Sequence, residues 1–200
     1  MALLKSAWEI ALEKTEGIEA DPEKITRDLR INEGKRLAGT YLTEIESEGK
    51  ELQAALASKS GDELVLLKQG IASTVVMNVA LPQSTEYEER MKKIHHIVEL
   101  MDGKESDTVS LINQISQFMG KYIEARDSLL ERARQQYQPV FEQKREQMMQ
   151  KYGRASNMSM DQDPEFIQML QKHFAQLSQQ YQQVLDQAKT QLKEAWGIAD

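Results

Sequence analysis

Apolar residues recur along this chain at spacings of three and four, over stretches far longer than a strand. Tyr87, Met91, Ile94, Val98 and Met101 trace one face of a short helix. Leu111, Ile115, Phe118, Tyr122, Leu129, Ala133, Tyr137 and Val140 trace a longer one. Further on, Ile167, Phe174, Tyr181, Ala188 and Ala195 repeat every seven residues, and so do Leu170, Leu177 and Val184. Two interleaved rows of that period make a seam that lies along a partner helix with left-handed supercoiling. Ile31, Ala38, Ile45 and Leu52 carry the same seven-residue spacing nearer the N-terminus. The pattern predicts helices over approximately 2–16, 22–59, 63–81, 85–102, 107–153 and 164–196.

Local signals punctuate these segments. Asp21-Pro22-Glu23 and Asp163-Pro164-Glu165 each place a capping carboxylate, a preset φ and an acid that complements the positive end of the dipole. Thr85-x-x-Glu88 has capping-box spacing just after Pro82. Asp102-Gly103 and Tyr152-Gly153 read as helix ends, and Gly61-Asp62 as a turn. Pro139 falls inside the fifth segment and predicts a kink rather than a stop, because the apolar pattern runs on through Met148 and Tyr152. Val75, Val76 and Val79 would also suit a strand, but no second strand exists to pair with, so 71–81 is expected to be helix. Gly34, Gly39 and Gly49 lie inside the second segment, each costing up to about 1 kcal/mol against alanine. They either permit close helix contact or loosen the helix.

The fifth segment is ~70 Å long if straight and the sixth ~50 Å. The link between them is short, so an antiparallel hairpin is expected. The fold expected is therefore all-α: an elongated helical bundle in which a long antiparallel coiled-coil hairpin, about 107–196, packs with shorter N-terminal helices. Trp8 and Trp196 stand in apolar surroundings near the two ends, which predicts that the terminal helices pack together.

Composition divides this architecture. The net charge of −7 lies wholly in residues 1–112, which hold 21 acidic and 14 basic side chains, while residues 113–200 hold 11 of each. Glutamine numbers 3 in the first part and 18 in the second. An acidic N-terminal helical lobe, 1–103, and a glutamine-rich hairpin, 104–200, are the expected divisions, unless the two form one continuous domain. Glutamine keeps a helix soluble without charging it. Met148, Met149, Met158, Met160 and Met169 gather around the hairpin turn, either as adaptable packing or as a peptide-binding tip.

The chemistry is mostly exclusion. There is no cysteine, which removes disulfides, thiolate metal sites and cysteine nucleophiles. Neither a Walker A loop, a Gly-x-Gly-x-x-Gly turn nor a Gly-x-Ser-x-Gly elbow occurs. His95 and Glu99 are four apart and could share a metal, yet the Glu-x-x-His pairs of bundle di-metal sites are missing. No catalytic, cofactor-binding or metal-binding residue is therefore assigned, and no cofactor is expected. Basic residues between Lys121 and Arg154 are interleaved with acids, which argues against nucleic acid and against an anionic membrane surface. No segment reaches the roughly 20 apolar residues of a membrane span, and Met1 to Leu12 lacks the features of a signal peptide. A cytoplasmic location is the expectation.

The pairs Phe118/Met119, Leu129/Leu130, Val140/Phe141 and Val184/Leu185 widen the apolar stripe beyond a two-helix seam, since adjacent residues point about 100° apart. Phe118, Leu130, Phe141 and Leu185 are the candidate interaction face, with a second copy or another protein as partner. The function expected is a non-enzymatic helical assembly protein: a scaffold, an adaptor or a holding chaperone. The alternative is a helical-bundle enzyme or metal protein.

Overall fold

The computed structural model describes residues 21–44, 49–83, 87–153 and 159–198. Six α-helices and no strand occur among them, and 88% of the described residues are helical. The protein is an all-α helical bundle. The helices are α1 (Pro22–Thr43), α2 (Lys50–Ser58), α3 (Gly61–Asn78), α4 (Tyr87–Asp102), α5 (Asp107–Tyr152) and α6 (Pro164–Ala195), with one 3-10 turn at Met160–Gln162. The valine-rich stretch is helical as far as Asn78. Two compact units divide the chain, one up to Thr74 and one from Val75.

Helix starts follow the local signals. Asp21 accepts the N–H groups of Glu23 and Lys24 at 3.0 and 3.4 Å. Asp163 accepts the N–H of Glu165 at 3.0 Å. In both, proline takes the first helical position, where an N–H would have no acceptor in the helix. Ser106 caps α5 by accepting the Val109 N–H at 3.3 Å. Pro139 is embedded in α5, which continues to Tyr152. The expected helix at 2–16, Trp8 and the Thr85 capping box lie outside the described residues.

The single helix expected over 22–59 is two helices. Gly49 has a φ of 69°, in the left-handed region, immediately before Lys50. A right-handed helix cannot pass through that conformation. The Tyr41 ring packs over the glycine, so that a Cβ would meet it at 3.2 Å.

In the unit up to Thr74, α1 and α3 touch through their backbones. A Cβ on Gly34 would fall on the Leu67 carbonyl oxygen, and one on Gly70 on the Ile31 carbonyl oxygen. Leu37, Ala38, Leu67 and Ile71 are buried in this unit. An ion pair of Arg30 with Glu63 at 2.6 Å and a bond from the Thr74 hydroxyl to the Lys35 carbonyl at 3.4 Å flank the crossing.

In the unit from Val75, α4 packs on the first part of α5, and α6 packs along α5. The pairing of α5 with α6 is antiparallel: Phe118 stacks on Tyr181, Tyr122 bonds Ser178, and Tyr137 stacks on Phe166. At the base, Asp102 Oδ2 accepts both the Trp196 indole N–H and the Thr108 hydroxyl, each at 2.7 Å. Trp196 thus docks on the end of α4.

One of the expected seven-residue rows leaves the interface. Leu185 and Leu192 have no accessible surface, whereas Val184 is 48% and Ile167 39% exposed. The inward side of α6 near its end is Tyr181, Leu185, Ala188 and Leu192, spaced four, three and four. The cause is the mismatch between 3.6 residues per turn and a period of 3.5, which rotates a seven-residue row by about 20° each repeat. The row begun at Leu170 has turned outward by Val184.

Candidate interaction surface

The N-terminus of α4 lies level with Gly120, where the Tyr87 hydroxyl would meet an added Cβ at 3.4 Å. Arg126 marks the next turn. It donates to the Gln83 and Pro82 carbonyls at 3.0 and 3.4 Å, and sits 5.4 Å from the Phe174 ring centre and 5.8 Å from that of Tyr122. It fastens the α3–α4 connection to the hairpin. Beyond it, among the described residues, α6 and the 3-10 turn are what accompany α5, as a two-helix arm.

The arm has a narrow core. Ala133, Tyr137, Phe141 and Phe166 are its buried apolar residues, with Leu130, Met160, Met169 and Leu170 packed half-buried around them. These apolar faces meet because α5 offers residues at spacings of four and α6 answers from its first turn. At the tip, Lys144 Nζ donates to Tyr137 Oη at 2.7 Å, to Asp163 Oδ2 at 3.0 Å and to Glu165 Oε2 at 2.9 Å. Asp163 is almost wholly buried. Burial pushes its carboxyl up, but the Lys144 ammonium, the Glu165 N–H and Tyr137 outweigh that and hold it below the usual carboxylate range. Lys144 is pushed up by its bonds to Tyr137, Glu165 and Asp163, against the opposing effect of burial. Burial raises the Tyr137 phenol. On the other side of the tip, Arg134 pairs with Asp161 at 3.3 Å and Glu131 at 3.2 Å.

The four face residues separate. Leu185 has no accessible surface and Phe141 is 8% exposed, so both are filled by the chain's own packing. Phe118 and Leu130 are half-buried. Phe141 and Leu130 belong to the arm core, Phe118 to the Tyr181 contact nearer the base, and Leu185 to the inward row of α6. The open apolar positions in this unit are different ones: Met77, Val140, Met148, Met149, Ile167 and Val184. Adjacency in sequence gives the pairs; which member turns outward depends on where α6 lies. Met148 continues the inward row of α5 past Lys144, but α6 begins at Pro164 beside Lys144, so Met148 stays 41% exposed. A hollow of about 430 Å3 opens there between Met148, Lys144 and Pro164.

His95 and His96 stand elsewhere, on α4. His95 Nδ1 is 3.8 Å and His96 Nδ1 3.9 Å from separate oxygens of Glu99, along a groove of about 500 Å3 between α4 and α5. Among the described residues, no three His, Asp or Glu side chains converge as a metal site. No helix among the described residues is long and apolar enough to cross a membrane. Sequence reasoning missed the Lys144–Asp163–Glu165 cluster. Asp163 was legible as a cap, but nothing in the spacing of nineteen residues brings Lys144 to it.

Fold and surface define a class: an all-α protein whose last two long helices form an antiparallel hairpin. The chain belongs to the Family of unknown function (DUF6657), whose family model matches residues 53–194 and so includes the whole arm. No curated protein and no solved structure matches it.

Proposed function

We propose that this is a non-enzymatic helical assembly protein, a scaffold, adaptor or holding chaperone of the cytoplasm, that works by pairing its arm with other helices. The observation that carries this reading is the arm itself. Among the described residues, the arm core beyond Arg126 holds four buried apolar side chains, while Val140, Met148, Met149 and Ile167 remain open to solvent on the two helices. A core that narrow gives little stability of its own, and an added helical layer would enlarge it. The surface is rich in glutamine and mixed in charge, which suits contact with a neutral helical face.

The groove holding His95, His96 and Glu99 favours a second reading, a metal protein or enzyme of helical-bundle type. Metal analysis of purified protein separates the two, because a stoichiometric ion lost on Glu99→Ala would support the second. The first is tested by affinity capture with the wild type and with an arm double variant, Gln136→Glu/Val140→Glu. Association with any helical chain, its own copy or another, that the wild type makes and the variant loses supports the reading. Identical behaviour of the two proteins sinks it.

A further inference from the structure

We infer that the partner of the arm is a second copy of this chain, packed side by side with the first to give a four-helix bundle; the inference rests on the assembly reading above. One side of α5 points to this occupant. Leu129, Gln136, Val140 and Gln147 follow one another at spacings of seven, four and seven, which keeps them on one side of the helix. None is charged. Leu129 is half-buried, Val140 is 42% exposed, and both glutamines are exposed. The opposite side of the same helix carries Glu131, Arg134, Glu142 and Arg145.

An uncharged row flanked by charge is a poor fit for a basic or acidic partner and a good fit for another uncharged row. A second copy brings one by construction. Glutamine carries a donor and an acceptor on one amide, so identical glutamines can bond each other across a two-fold axis. Residues 113–200 hold 11 acidic and 11 basic side chains, so two arms meet without net repulsion. The size suits a small interface. From Arg126 to Lys151 α5 is about 40 Å long, but α6 accompanies it only as far as Lys144, so the two helices run side by side for about 27 Å at a width of about 20 Å. One face of the paired stretch therefore offers about 540 Å2, the low end of specific interfaces and the size of a dimer that dissociates on dilution.

The test is sedimentation equilibrium of the full chain across a micromolar dilution series. Wild type is expected to be a dimer at the upper end of the series that dissociates on dilution. Val140→Glu and Gln136→Glu each set like charges against each other across the axis and are expected to weaken association at least about tenfold. Val184→Glu, equally exposed but on α6 nearer the base, is expected to leave it unchanged. All three sites are exposed, so circular dichroism of every variant should match wild type. A monomeric wild type overturns the inference, and so does a dimer that Val184→Glu dissociates while the two α5 substitutions do not. In either case the assembly reading survives if capture still depends on the arm, and falls only if it does not.

Discussion

Replacing Gly34 by alanine is expected to destabilise the unit that holds α1 and α3, although alanine is the better helix former. In an exposed helix interior the exchange is worth about 1 kcal/mol in favour of alanine. Gly39, in the same helix, is the internal reference: a Cβ there meets nothing within 4 Å, so Gly39→Ala should stabilise by up to about 1 kcal/mol. At Gly34 the new Cβ would land on the Leu67 carbonyl oxygen and come within 3.0 Å of the Ile71 nitrogen. Both atoms are helix backbone, so neither can rotate aside as a side chain would. The two helices must separate, loosening the packing of Ala38, Leu67 and Ile71, all of which have no accessible surface. Overpacking of this kind costs about 1–3 kcal/mol, before the lost burial is counted. The net expectation is a loss of roughly 2 kcal/mol, so the two variants of one helix should differ by about 3 kcal/mol. Urea unfolding followed by circular dichroism measures the difference, and hydrogen exchange of the α1 amides localises it. Equal stability of Gly34→Ala and Gly39→Ala would refute the backbone crossing.

Further expectations concern the hairpin. Phe166→Ala removes the largest wholly buried side chain of the arm core and should cost about 3–5 kcal/mol, read from thermal or urea unfolding. Asp163→Ala deletes the cap of α6 and should cost about 1–2 kcal/mol, with faster exchange of the first amides of that helix. Because the Asp163 carboxyl is held below its ordinary value in the folded chain, its contribution is complete above about pH 4 and is lost as pH falls through the folded value. Asp163→Asn keeps the cap acceptor but removes that titration, so the acid limb of its stability profile should be shallower than that of wild type; an unchanged limb would show that other carboxylates govern it. Trp196→Phe removes the indole N–H from Asp102 and should cost about 1–2 kcal/mol, measured by unfolding, with Thr108 still holding the carboxylate.

What sequence revealed follows the range of the forces involved. The caps at Asp21 and Asp163 were legible because a carboxylate, a proline and the first free amides lie within a few residues of one another. The helical class was legible for the same reason, since the apolar period belongs to each helix alone. Glycines were not legible, because three of them in one segment meet three different surroundings. Gly34 is pressed against α3, Gly39 faces open space, and Gly49 takes a left-handed turn under Tyr41. Gly70, the other half of the crossing, sits in a stretch with no periodic mark to single it out. The seam of α6 was legible to within one residue, and that residue decides that Leu185 is buried and Val184 open. Lys144 and Asp163 are nineteen positions apart, and their meeting depends on the register of two helices.

The central claim, that the arm pairs with a second arm, is tested most directly by a distance between copies. The chain has no cysteine, so Gln143→Cys supplies a single thiol at an exposed position beside Val140. A spin label there, read by pulsed double electron–electron resonance, reports only on separations between molecules. Side-by-side arms predict a defined distance shorter than the arm itself, below about 40 Å, that disappears when labelled protein is diluted into an excess of unlabelled chain. A featureless background decay from the undiluted sample, at concentrations where the protein is soluble and helical, would contradict the account.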